Sequence, residues 1–163
     1  MEKLQKTQME SIQKHIFNNA RDIEKAKWNY LFNNGSKEAI VSELVKYQNS
    51  DGGFGNGLEA DILLPASSSI ASTEAILIAY DCKLNCEEPW FKNLLSYFEK
   101  TIQKTPSFWE KVPKEVENFP HAPWWAYAAD TKFSPNPCAV IASAFIKYGN
   151  DGQKSLGYEI AAR

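Results

Sequence analysis

The sequence predicts an all-α protein built from helical hairpins, and three observations predict it. Helix-spaced segments that are apolar on one face alternate with segments that are apolar on every side. A glycine-rich loop, 48–74, lies between two such segments. A weaker copy of the start of that loop recurs 55 residues later, a separation that fits one hairpin with its connections.

Taken in order, Thr7-Gln-Met-Glu10 is expected to open a long first helix as a capping box. Ile12, Ile16, Ala20, Ile23 and Tyr30 keep one of its faces apolar, and Asn34-Gly35 closes it. Ser36 caps a second helix, with Ile40, Val41, Leu44 and Val45 on one side and Gln48 at its end. The third, from about Ser69, runs IASTEAILIAY and is apolar all round between Ala75 and Tyr80, so burial on every side is expected. Pro89 at a first-turn position opens the fourth, whose stripe is Phe91, Leu94, Leu95, Phe98 and Ile102. Asn136-Pro137 starts a fifth, CAVIASAFIKY, again apolar all round, and a sixth is expected over LGYEIAAR. The linker 105–135 between the fourth and fifth holds five prolines and three tryptophans. So aromatic a linker is expected to be ordered, with a short helical turn at Trp124–Ala128.

Within the loop, Gln48 is followed after three residues by Gly52, Gly53 and Phe54. Glycines here permit the positive-φ backbone that a tight reversal after a helix requires. The weaker copy is Gln103 to Trp109, with Ser107 in place of the glycine. This spacing resembles the Q-x3-G-x-W repeat of squalene and terpenoid cyclases and the GGFG turns of protein prenyltransferase β subunits. The resemblance covers roughly residues 36–148. It implies an α/α-toroid in which the Gln48 amide binds backbone at the start of the next helix and Phe54 stacks over it. It also implies an apolar central cavity near the N-termini of the inner helices, here the third and fifth. Since such rings close with about half a dozen hairpins, the chain is expected to supply about three, as one helical domain over 1–163 forming a partial toroid.

The chain has 163 residues, a net charge of −2 and a pI near 5.7. No basic stripe suggests nucleic-acid binding, and no apolar run approaches a membrane span. A cytoplasmic protein with its three cysteines (Cys82, Cys86, Cys138) reduced is the expectation. Phosphate-binding loops of the G-x-x-x-x-G-K-[ST] type, G-x-S-x-G elbows and H-E-x-x-H motifs are all missing from the sequence, so no cofactor or metal is expected.

Candidate catalytic groups are Glu59, Asp61 and His121. Glu59-Ala60-Asp61-Ile62 precedes the third helix, where the dipole favours negative charge, and it is similar to the first half of the D-x-D-D acid of class II cyclases. His121 is one of two imidazoles and can act as a base near neutrality. Trp124 and Trp125 are adjacent, so at least one should line a cavity or meet a partner. Ser68 and Asn136, at the starts of the third and fifth helices, could offer amides to an anion, and Thr73 and Glu74 would face the cavity one turn in. The leading expectation is a prenyltransferase- or cyclase-like toroid acting on an apolar or isoprenoid-like ligand. Its alternatives are a non-catalytic ligand- or protein-binding toroid and a carbohydrate-active (α/α)-barrel. Because a partial ring leaves inner helices uncovered, a homo-oligomer or a partner supplying the missing half is expected.

Overall fold

The structure, a computed structural model, describes residues 5–104, 107–128 and 135–163. It is all-α, with helices α1 (Lys6–Asn19), α2 (Asp22–Phe32), α3 (Lys37–Leu44), α4 (Ser69–Asp81), α5 (Pro89–Thr101), α6 (Pro135–Tyr148) and α7 (Asp151–Ala161). The only strands among the described residues are β1 (Gln103–Lys104) and β2 (Ser107–Phe108), which form a two-residue hairpin. The chain divides into two compact units, one ending at Lys46 and one beginning at Tyr47.

In the first unit the expected single long helix is two. Ala20 takes an extended conformation and breaks it, and α2 restarts from Arg21. Two side chains stabilise the break. Asn19 Nδ2 donates to the His15 carbonyl in the last turn of α1 at 2.8 Å, and Arg21 forks onto Glu24. The cap of α1 is also displaced from Thr7–Glu10: Gln8 Oε1 accepts the Gln5 N–H at 2.7 Å. Ser36 caps α3 as expected, accepting from the Ala39 N–H at 3.2 Å, and Ile40 and Leu44 are fully buried on its inner face.

In the second unit α4, α6 and α7 pack together, with α5 against α6. Tyr80 and Tyr148, both in the last turn of their helices, have ring centroids 6.2 Å apart. Helices of 13 and 14 residues are about 20 Å long, so packed helices whose ends meet in this way run in the same direction. Burial on every side holds for most of α4, but Leu77 is 42 % exposed. On α6 the open positions beyond its first two residues are Ala139, Ser143 and Lys147. α5 buries Phe91, Leu94, Leu95 and Phe98 of the stripe the sequence predicts, with Trp90 and Tyr97 besides, while Ile102 falls just past the helix end and is half-buried. α7 starts five residues before LGYEIAAR, because Asn150 and Gln153 cap each other across its first turn at 2.9 and 3.1 Å. The three cysteines are buried, and none is in a disulfide.

The described part of the 105–135 linker is ordered by short 3-10 turns at Lys114–Asn118 and Pro123–Trp125, the second one residue ahead of the helical turn expected at Trp124–Ala128. Residues 105–106 and 129–134 of that linker lie outside the described residues. No described helix is long and apolar enough to cross a membrane.

Candidate functional site

Gln48 organises the glycine loop from its centre. Its Nε2 donates to the Gly52 carbonyl at 2.9 Å and to the Trp90 carbonyl, in the first turn of α5, at 2.8 Å. Phe54 lies opposite Gln48 in a single antiparallel bridge, is fully buried, and meets the Trp90 ring edge-on at 6.4 Å. The amide thus ties the loop to a helix start, although that helix is α5 rather than α4, the next in sequence. Gly52 has φ +92°, and a Cβ there would run into the Asn93 carbonyl of α5. Asn49 and Asp51 complete the loop. Asn49 Nδ2 donates to the Pro65 carbonyl and to Ser67 Oγ, both at 3.0 Å, and Asp51 Oδ1 accepts from the Gly53 N–H at 2.9 Å and Ser67 Oγ at 2.8 Å.

The weaker copy shifts the backbone pairing by one residue and changes the anchor. Gln103 pairs with Phe108 across β1–β2, one residue short of Trp109, whereas Gln48 pairs with Phe54 itself. Here, however, Gln103 is exposed, and Trp109 makes the long-range tie. Its indole Nε1 donates to the Phe98 carbonyl of α5 at 2.8 Å, with 1 % of the side chain exposed.

The backbone brings the Glu59–Leu63 and Pro120–Ala122 segments side by side. Ile62 and His121 form an antiparallel bridge, the Leu63 N–H donates to the Pro120 carbonyl, and the Ala122 N–H to the Asp61 carbonyl, each at 2.9 Å. The residue opposite His121 is therefore Ile62, not Asp61. Asp61 itself sits in the turn that the Ile62 N–H closes onto the Glu59 carbonyl at 3.0 Å. Glu59 Oε1 accepts the Asp61 N–H at 3.3 Å, and His121 Nδ1 is 2.8 Å from the Phe119 carbonyl. Glu117, which no sequence motif marks, lies 3.9 Å from His121 Nε2 and accepts the Tyr127 N–H at 2.7 Å.

The adjacent tryptophans part company. Trp125 packs with Phe119 and Tyr127 against a small core of Ile62, Leu64, Ile70, Val112 and Val116. Trp124 is 66 % exposed on the turn above it. Its loop is thus held from below and presents one large aromatic face outward.

A third feature opens at the start of α4. Ser68 caps the helix, accepting from the Ala71 N–H at 3.1 Å, and Thr73 is buried with its hydroxyl donating to the Ile70 carbonyl at 2.9 Å. Glu74 is half-buried, and Asn136 is exposed at a non-helical position in the first turn of α6. Beside Ser68 is a cleft of about 580 Å3 whose lining includes Asp51, Ser69, Tyr97, Lys100, Gln103 and Glu110. Burial, and secondarily the nearby Asp51 carboxylate, push the Tyr97 phenol far above its ordinary range. The sequence points to Ser68 at the helix start but not to the rest of the cleft, because its side chains come from four separate segments. Ser68, read as the start of a helix with open amides, and Asp51, in the Asn-Ser-Asp-Gly-Gly turn, are the lining residues that carried a local signal.

Among the described residues no group of three or more His, Cys, Asp or Glu side chains is placed to hold a metal ion. No family model matches the chain, and no curated protein or solved structure resembles it.

Proposed function

We propose that this chain is a binding module built on toroid-type helical hairpins, and that it holds its ligand without chemically transforming it. The observation that carries this reading is the crossing of the two loops. The Glu59 and Glu117 carboxylates are committed to backbone N–H groups, while Trp124 stands exposed on a turn fixed from beneath. Acid–base catalysis needs a proton donor and acceptor within reach of one reacting atom, and the residue bridged to His121 is the apolar Ile62, while His121 Nδ1 is engaged with the Phe119 carbonyl at 2.8 Å. A fixed, open indole is what a recognition surface needs: large contact area with little ordering cost on binding. Its ligand is one with a flat or branched apolar face, a description met by an isoprenoid chain and by the C–H face of a sugar.

The hairpin architecture rests on Gln48 and Trp109, which both tie a loop to the α5 backbone, and on the parallel course of α4 and α6. Self-association through these inner helices belongs to the same reading. It is supported by the exposed Leu77 and by an apolar groove of about 310 Å3 lined by Ala139, Ala142, Ile146 and Ile160. Sedimentation velocity should then give a dimer or larger species at micromolar concentration; a monomer across that range removes this part of the proposal.

A cyclase- or transferase-like activity is the second reading, favoured by the adjacency of the Glu59–Asp61 and His121 segments. Native mass spectrometry with isoprenoid diphosphates and neutral oligosaccharides tests the first. A retained ligand that is lost in Trp124→Ala supports it. Ligands that bind equally well to Trp124→Ala, or none at all, contradict it.

A further inference from the structure

We propose that the cleft at the start of α4 is a binding site for an uncharged polyhydroxylated ligand, a saccharide unit. It shares no residue with the Trp124 surface and rests on the preceding reading only in taking the chain to hold a ligand rather than to turn one over.

The first observation is Ser69. It is 6 % exposed and lines the cleft, yet its hydroxyl has no hydrogen-bond partner among the described residues. Its backbone N–H, the first of the helix, has no backbone partner either. The next two first-turn donors are satisfied: the Ile70 N–H by the Lys111 carbonyl at 3.1 Å and the Ala71 N–H by Ser68 Oγ. A hydroxyl and an amide left open side by side on a cleft wall form a paired donor and acceptor site.

The second observation is charge. The lining holds one cation, Lys100, and two carboxylates, Asp51 and Glu110. An anion drawn to the helix N-terminus and Lys100 would meet both carboxylates. A metal cation would meet Lys100 and the positive end of α4, and it would find Asp51 Oδ1 already accepting two hydrogen bonds. Both signs of charge are opposed. A neutral ligand whose hydroxyls each donate and accept matches the lining: Ser69, Lys100 and Gln103 supply donors, and Asp51 and Glu110 supply acceptors. The Tyr97 ring, almost fully buried in the wall, offers an apolar surface for C–H groups. The cleft volume falls within the range of about 300–1,000 Å3 found for small-molecule sites.

Isothermal titration with maltose, cellobiose and chitobiose, and in separate arms with inorganic phosphate, pyrophosphate and calcium, tests the proposal. At least one disaccharide should bind saturably at millimolar concentration, and the ions should not. Ser69→Ala should weaken that binding by about 2- to 12-fold, the effect of one lost hydrogen bond. Lys100→Ala, on an exposed side chain that leaves the fold unburdened, should weaken it as well. Absence of disaccharide binding, preference for an ion, or binding unchanged in both variants overturns the proposal. Disaccharide binding that is lost in Trp124→Ala but intact in Ser69→Ala and Lys100→Ala keeps the Trp124 surface and removes the cleft.

Discussion

Gln48 Nε2 donates to the Trp90 carbonyl across 42 residues of sequence at 2.8 Å, and the same nitrogen holds the Gly52 carbonyl at 2.9 Å. One side-chain amide thereby fixes both the curl of the glycine loop and its attachment to α5.

Gln48→Ala removes both bonds and leaves two partly buried carbonyls short of a donor. The expected loss is on the order of 1–3 kcal/mol. For a chain of this size each kcal/mol lowers the melting midpoint by roughly 2–4 °C. Urea unfolding that gives an unchanged midpoint would show the tie to be incidental.

Two glycines should respond in opposite directions. Gly52→Ala forces a side chain onto a positive φ and into the Asn93 carbonyl, which costs at least the roughly 1–3 kcal/mol of backbone strain. Gly152 lies in the first turn of α7, where a Cβ would meet only Asn150 Oδ1 at 3.4 Å. Gly152→Ala should stabilise by about 0.4–1 kcal/mol through the unfolded chain. Paired denaturation curves check both signs.

That contrast also shows which parts of the fold were legible in the sequence. α4, α5 and α6 announce themselves through dense apolar residues between recognisable starts, Ser68, Pro89 and Pro137. The break between α1 and α2 does not, because neither Gly nor Pro marks it. Its signals are the Asn18-Asn19 pair and the acidic Asp22 and Glu24, which fit a helix surface equally well. α7 was read late because Gly152 looks like a breaker, whereas Asn150 and Gln153 form a reciprocal cap around it. The site divides along the same line. The Gln48 loop is local and was readable from its spacing. Neither the Ile62–His121 register nor the cleft at Ser69 could be read, since both depend on which distant segments meet.

Stability should fall in alkali, in part because of Tyr97. Burial raises its folded-state pKa, while the unfolded phenol ionises near pH 10. The unfolded state thus releases its proton first, so the contribution is complete below about pH 10 and is lost as the pH rises beyond it. Tyr80 and Cys86 are raised by burial as well and act with the same sign. The test is therefore the difference between wild type and Tyr97→Phe in urea midpoints from pH 8 to 11. The variant should show the shallower alkaline decline, and identical slopes would contradict the assignment.

The central claim, binding without transformation, is tested most directly by following the ligand itself. Isoprenoid diphosphates and neutral oligosaccharides are incubated with the wild-type chain, Asp61→Asn and His121→Ala, and every ligand is quantified by mass spectrometry. The exposed Asp61 makes its substitution nearly neutral for folding, within about 0.5 kcal/mol. The account predicts full recovery of unchanged ligand from all three proteins. Accumulation of a cyclised, transferred or hydrolysed product by wild type, lost in Asp61→Asn or His121→Ala, would contradict it.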